Sequence, residues 1–147
     1  GTVFRQTQFA EFEEWLHEQD QAGQALTADR LSKQYLQLNQ RYYGDAVVSD
    51  PQIADEWSRI PHFYYNYYVY QYATGFAAAS TLADRISTKQ AGAVDDYLGY
   101  LKAGSSAFPI DVMHGAGVDM TKPDYLDAAF KVFEERLDEF EQLVTKQ

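Results

Sequence analysis

Apolar side chains recur at intervals of three and four residues along almost the whole chain, and this spacing is typical of amphipathic helices. Three stripes stand out: Phe9, Phe12 and Leu16; Leu31, Tyr35, Leu38 and Tyr42; and Leu126, Phe130, Phe133, Leu137, Phe140 and Val144. No stretch alternates apolar and polar residues as a half-buried strand does. We therefore predict an all-α fold with a single helical domain over residues 1–147.

Capping signals predict where several helices begin and end. Thr27 is suited to the N-cap of the second stripe, and Asp50 before Pro51 predicts the start of a short helix. Residues 121–124 resemble a capping box that opens the last helix. Glycines follow the first two stripes and a further helix predicted over residues 90–103: Gly23, Gly44 and Gly104.

The stretch from Phe63 to Ile86 has a different character, because it is almost uncharged until Asp84. A helix that is apolar on all sides is buried, so we predict one buried helix over residues 63–86. Pro61 separates it from the helix before. Its tyrosines make it too polar to span a membrane.

Charge and cysteine content exclude several functions. The chain has 12 Lys and Arg against 22 Asp and Glu, a formal net charge of −10. Such a surface repels phosphate backbones and anionic lipids, so we expect neither nucleic acid nor membrane partners. Without cysteine there are no disulfides or thiolate sites, which agrees with a cytoplasmic location. Because the chain starts at Gly1 rather than Met, we expect it to be a piece of a longer protein.

Tyrosine is concentrated in one segment, since six of the 12 tyrosines lie between positions 64 and 72. On a helix, Tyr64, Tyr67, Tyr68 and Tyr72 would share a face. Buried hydroxyls need hydrogen-bond partners, so the segment either lines a wet cavity, where phenols can donate to peptide carbonyls, or packs with its hydroxyls reaching the surface. The residues alone favour the packing interpretation.

The three histidines, His17, His62 and His114, do not form a recognisable metal site. A zinc-peptidase helix needs H-E-x-x-H, so that two histidines one turn apart can reach the same metal. His17-Glu18 is followed by Gln21 where the second histidine should stand. We expect His17 to be solvated, and we predict no metal ligand in this chain.

Several segments, in the same order along the chain, resemble the oligoendopeptidase F group of the thimet-oligopeptidase family of zinc peptidases. They are Gly1 to Thr7, Phe9 to Glu13, Arg59 to Gly75, Tyr97-Leu98, Gly104 to Ser106, Pro109, and Ala116 to Thr121. The resemblance implies a multi-helix C-terminal lobe of a neurolysin- or thimet-like zincin fold, beside a deep channel. It also implies zinc in the full-length enzyme, held by residues upstream of this chain, and no cofactor in this fragment.

The resemblance assigns roles within the tyrosine segment. His62 and Tyr64 would bind the substrate, and Tyr67 and Tyr70 would support the oxyanion during catalysis, with Tyr64 the main rival for one of those roles. The expected function is that of the C-terminal part of a zinc metalloendopeptidase acting on short oligopeptides. Its partners would be oligopeptide substrates and the missing N-terminal part of the same polypeptide, and the fragment alone would be inactive.

Two other hypotheses stay open at the level of sequence. The chain could be an independent helical binding module with an aromatic-lined pocket for a peptide or small ligand. It could also be a purely structural helical domain. The sequence just before Gly1 in the parent gene would distinguish these hypotheses from a peptidase.

Overall fold

A computed structural model describes residues 1–145, and these residues are helical with irregular connections and no strand. Six α-helices are present in this range: α1 (Phe4–Gln21), α2 (Ala28–Tyr43), α3 (Tyr70–Ser87), α4 (Ala93–Ala103), α5 (Pro109–Gly115) and α6 (Asp124–Thr145). Two 3₁₀ segments, Pro51–Arg59 and Pro61–Tyr64, lie between α2 and α3. The predicted all-α class is confirmed.

The residues group into two compact units, Gly1–Ala73 and a second that begins at Thr74. The single domain expected over residues 1–147 stays a prediction. Over residues 1–145, no helix is both long enough and apolar enough to cross a membrane.

Large aromatic and aliphatic side chains form the core of the first unit. Phe9 and Phe12 on α1 pack with residues of α2, and the Phe12 and Tyr35 rings meet edge to face with centroids 5.1 Å apart. The buried members are Phe9, Phe12, Leu31, Tyr35, Leu38, Ile60 and Val69. The first two predicted stripes therefore form this core, with Leu16 and Tyr42 half-buried at its margin.

The core of the second unit is built from smaller side chains. Its buried members are Ala77, Ala78, Leu82, Met113, Ala116, Val118 and Tyr125. The predicted last helix is present as α6, but only its first turns reach this core, through Tyr125 and Leu126. From Phe130 onward the apolar stripe of α6 is about half exposed.

Most of the predicted helix ends are confirmed, and two cap predictions need correction. Gly23 and Gly44 have positive φ where α1 and α2 end, and the Asp50 carboxylate accepts a hydrogen bond from the Ile53 amide at 3.1 Å. Thr27 is the N-cap residue of α2, but its side chain makes no capping bond. Thr121 does not cap α6, because its hydroxyl donates to Asp119 instead.

The continuous buried helix predicted over residues 63–86 is wrong in its first part. Helix α3 begins only at Tyr70, since Asn66 and Tyr67 adopt left-handed backbone angles that break a right-handed helix. Within α3 only Ala77, Ala78 and Leu82 are buried. The shared helical face expected for Tyr64, Tyr67, Tyr68 and Tyr72 therefore does not exist.

Two further elements differ from the sequence prediction. Helix α5, which none of the predicted stripes includes, opens at Pro109, because a proline at the first helical position needs no amide. The helix expected over residues 90–103 begins at Ala93, after Gly92 in a left-handed conformation.

Candidate active site

The tyrosine segment is a loop that the core of the first unit holds at both ends. The Phe63 ring packs against Phe9 and Phe12, with ring centroids 5.7 and 5.2 Å apart. Val69 is fully buried. Residues 64–68 lie between these two anchors, and the exposed fraction of their four tyrosines ranges from 38% at Tyr67 to 80% at Tyr64.

Two adjacent residues in this loop have unfavourable backbone angles. Asn66 has φ 50° and Tyr67 has φ 61°. Asparagine tolerates this region, but for a residue as bulky as tyrosine the left-handed conformation costs about 1–2 kcal/mol. Surrounding contacts must hold such a conformation in place.

A buried carboxylate on α1 supplies one of those contacts. The Tyr67 amide donates to Oε1 of Glu13 at 2.8 Å, and Glu13 is only 1% exposed. In the sequence, Glu13 lies between Phe12 and Leu16 of the first apolar stripe, beside the acidic Glu14. The structure buries it, and it accepts a bond from a residue 54 positions away.

The ring of Tyr67 also lies against α1. It stacks on the His17 imidazole, with centroids 4.4 Å apart and planes 24° from parallel. His17, expected to be solvated, is half-buried in this contact. Partial burial, with the nearby carboxylates of Glu14, Glu13 and Glu18, raises the pKa of the Tyr67 hydroxyl. The phenol therefore stays protonated and able to donate a hydrogen bond.

His62 is the centre of a second aromatic cluster in the same unit. Its ring is stacked near that of Tyr68, with centroids 6.1 Å apart, and meets Tyr65 and Tyr72 edge to face at 5.8 Å each. The Tyr72 hydroxyl is 3.3 Å from Nε2 of His62. A hydrogen bond with Tyr68, together with desolvation, raises the pKa of Tyr72, so this phenol also stays protonated. The cluster fixes the orientation of the imidazole.

The four residues predicted for the site have different surroundings. His62 contacts Tyr65, Tyr68 and Tyr72, whereas Tyr67 contacts α1. Tyr64 is 80% exposed, and Tyr70 is half exposed at the first position of α3. The roles predicted for all four stay predictions. Sequence reasoning overlooked Tyr65, Tyr68 and Tyr72 as neighbours of His62, and tyrosine density was the only signal that could have indicated them.

An ion-pair network supports the chain immediately before His62. Glu56 is buried, and it accepts hydrogen bonds from Arg5 at 2.6 Å and the Tyr35 hydroxyl at 2.7 Å, and from Arg59. Burial would raise the pKa of Glu56, but the bonds from Tyr35 and Arg5 outweigh it and the pKa is lowered. The network ties the 3₁₀ segment Pro51–Arg59 to α1 and α2.

Nothing in the described part of the chain is arranged to bind a metal. Among residues 1–145, no group of three or more His, Cys, Asp or Glu side chains lies close enough together to hold an ion. These residues therefore do not fit the zinc that the resemblance implies. What the site does offer is an exposed set of phenols and one oriented imidazole, which suit binding to the polar groups of a peptide.

Comparison with known proteins identifies the class to which this fold and site belong. A profile of Peptidase family M3 matches residues 1–132. The chain is 58% identical over 146 residues to Oligopeptidase PepF of Bacillus subtilis, covering 99% of this chain and 22% of that protein. It is 60% identical over 146 residues to Group B oligopeptidase PepB of Streptococcus agalactiae, covering 99% of this chain and 24% of that protein.

A solved structure agrees with these sequence relatives. The crystal structure of oligoendopeptidase-F from Enterococcus faecium matches with a TM-score of 0.97 and 56% identity, covering 100% of this chain and 28% of that chain. The chain therefore belongs to Peptidase family M3, and its resemblance to the oligoendopeptidase F group is confirmed. It spans about a quarter of the length of the curated relatives it matches.

Proposed function

We propose that this chain is the C-terminal part of a zinc metalloendopeptidase that hydrolyses short oligopeptides, and that residues 62–72 form one wall of its active site. Family membership supports the activity, since both relatives named above are oligopeptidases. The observation that carries the proposal is the loop between Phe63 and Val69, which the core holds at both ends while its tyrosines stay partly exposed.

The proposed chemistry follows from what phenols can do beside a peptide bond. Attack on a peptide carbonyl places negative charge on its oxygen, and a fixed donor aimed at that oxygen stabilises it. Removing one such donor typically costs about 2.7–4 kcal/mol of transition-state stabilisation. We assign this donation to Tyr67 and Tyr70, and substrate binding to His62 and Tyr64. The contact with Tyr72 keeps the His62 ring in one orientation.

Zinc belongs to the proposed full-length enzyme and not to this chain. As the family resemblance implies, we place the zinc ligands upstream, in the N-terminal part of the longer polypeptide, since the relatives are about four times as long as this chain. That part is then a required partner, and the 147-residue chain alone is inactive. An independent binding module is the less favoured function, because the family profile extends over residues 1–132. A cytoplasmic location stays a prediction.

The proposal is tested by comparing the longer polypeptide with the 147-residue chain. The two substrates are a quenched fluorescent oligopeptide and a folded protein that contains the same peptide sequence. The zinc content of each polypeptide is measured after dialysis. We expect the longer polypeptide to bind about one zinc ion per chain and to cleave the oligopeptide but not the folded protein. A metal chelator should abolish this cleavage. The 147-residue chain should do neither. Stoichiometric zinc and cleavage by the short chain, or no cleavage by the long one, would contradict the proposal.

A further inference from the structure

We propose that α1 positions the Tyr67 phenol, through Glu13 acting on its backbone and His17 acting on its ring. Both are positioning residues rather than groups that touch the substrate. The inference rests on the proposed function for its effect on turnover, but its structural part can be tested without it.

Burial of Glu13 needs an explanation, and the bond to Tyr67 provides one. A carboxylate that is 1% exposed is strongly disfavoured unless it accepts hydrogen bonds. A leucine would suit this apolar face of α1 better. The Tyr67 amide donates to this carboxylate at 2.8 Å, and a leucine at this position could not accept that bond. We infer that the carboxylate is placed there to receive it.

The conformation held by this bond is one that tyrosine does not adopt by preference. With φ 61°, the Tyr67 backbone directs its side chain differently from either an extended or a right-handed helical residue. Its neighbour Asn66 shares the left-handed conformation, so the two residues form a sharp bend. Loss of the bond to Glu13 would allow the bend to relax and the phenol to move.

His17 acts on the same residue from one helical turn further along α1. Residues four apart on a helix share a face, so Glu13 and His17 approach Tyr67 from the same side. The stacked imidazole, at 4.4 Å between centroids, fixes the ring after Glu13 has fixed the backbone. Two contacts from one rigid helix leave the phenol little freedom of orientation.

The kinetic test is a double-mutant cycle in the longer polypeptide. Glu13→Leu removes the acceptor at similar volume, and we expect it to lower kcat about tenfold or more with little change in KM. In a Tyr67→Phe background the same substitution should lower kcat less than about twofold, because the hydroxyl it positions is already gone. Glu13→Gln keeps an accepting oxygen and should restore most of the activity. Asp20→Leu, at an exposed acidic position further along α1, is the matched control.

The structural test is hydrogen–deuterium exchange over residues 63–69. Glu13→Leu should speed exchange of the Tyr67 amide about tenfold or more, whereas Glu13→Gln and Asp20→Leu should leave it close to wild type. This result does not depend on catalysis. If Tyr67→Phe itself leaves kcat unchanged, the function proposed for Tyr67 fails, and the exchange measurement still decides whether Glu13 holds the loop.

Two outcomes would overturn the inference. One is an equal loss of kcat from Glu13→Leu in both backgrounds, which indicates a general structural role. The other is unchanged exchange over residues 63–69. If Glu13→Leu does not fold, His17→Leu decides in its place. It should lower kcat severalfold only when the Tyr67 hydroxyl is present, and an equal loss in both backgrounds would again contradict the inference.

Discussion

The two compact units of the chain differ in what they bury. The first packs large rings together with four buried polar residues: Gln8, Glu13, Asn39 and Glu56. The buried residues of the second unit, within the range that the structure describes, are all apolar apart from the Tyr125 hydroxyl, and several are alanines. The first unit also contains the loop proposed to contact the substrate.

This difference follows from the backbone that each unit must hold. In regular helices the backbone amides are paired by hydrogen bonds within the helix. Helix faces lined with alanine can therefore pack closely without hydrogen bonds from buried polar side chains. An irregular loop cannot pair all its own backbone amides, so some of them need acceptors from other parts of the chain. Glu13 is such a partner, because it accepts a bond from the Tyr67 amide in the tyrosine loop. Glu56, within the 3₁₀ segment before the loop, ties that segment to α1 and α2 through side-chain bonds. The second unit uses the half-buried Arg85 for a similar purpose, at the bend after α5.

The largest effect on stability is expected at Gly117 in the second unit, where the Arg85 side chain packs against the backbone. Gly117 has φ 84°, and a Cβ there would overlap the Arg85 guanidinium, which bonds the Ala116 carbonyl and Asp96. Gly117→Ala should lower the free energy of unfolding of the chain by about 2–4 kcal/mol, from backbone strain and lost hydrogen bonds. Urea unfolding measures this loss.

A matched glycine provides the control for this prediction. Gly99 lies inside α4, where a Cβ would meet no neighbouring atom within 4 Å, so alanine fits there. Gly99→Ala should raise the free energy of unfolding by about 0.5–1 kcal/mol. Similar destabilisation by both substitutions would contradict the role given to Arg85.

A smaller effect is expected from the buried network of the first unit. Tyr35→Phe removes the hydroxyl that donates to Glu56 at 2.7 Å and keeps the ring in the core. The loss should be about 1–3 kcal/mol, since a buried carboxylate loses a partner. Tyr97→Phe, half-buried in the second unit, is the comparison and should change little.

The pH dependence of the Tyr35→Phe effect provides a second test of this network. The pKa of Glu56 is lower in the folded chain, so its ionised form stabilises the fold above the unfolded value of about 4.3. That contribution is lost as the pH falls through the folded pKa. The difference between wild type and Tyr35→Phe should therefore shrink in acid. A difference that stays constant would contradict the assignment to the ionised carboxylate.

The smallest effect is expected at Asp119, before α6. Bonds from the Thr121 hydroxyl, Lys122 and the Thr121 amide lower the pKa of Asp119 to about 2. Its contribution to stability should be complete above about pH 4 and should be lost as the pH falls through about 2. Asp119→Asn should be slightly less stable than wild type at neutral pH and equal to it in strong acid. Asp127→Asn, exposed on α6, is the control.

The regular part of the fold could be predicted from the sequence because it follows from local spacing. The stripes that include Phe9 and Tyr35, and the caps at Asp50 and Gly44, depend on residues a few positions apart. The family could be predicted because segments along nearly the whole chain match it in order and in spacing. Both predictions are confirmed.

The geometry of the site could not be predicted in the same way, because it depends on contacts between distant residues. Aromatic residues favour a helix over residues 63–72, but the Tyr67 amide bonds to Glu13 from 54 positions away and the chain bends. Glu13 has the same local pattern as its exposed neighbour Glu14. Only the folded chain distinguishes the carboxylate that is buried from the one that is solvated.

The most direct test of the proposed active-site wall is the kcat of Tyr67→Phe and Tyr70→Phe in the longer polypeptide. Each substitution removes one hydroxyl and keeps the ring. We expect each to lower kcat about a hundredfold with little change in KM and in zinc content, as for the loss of other oxyanion donors. Tyr64→Phe, measured alongside, should affect KM more than kcat, and His62→Ala should affect both. Turnover close to wild type in both Tyr67→Phe and Tyr70→Phe would show that these phenols only pack.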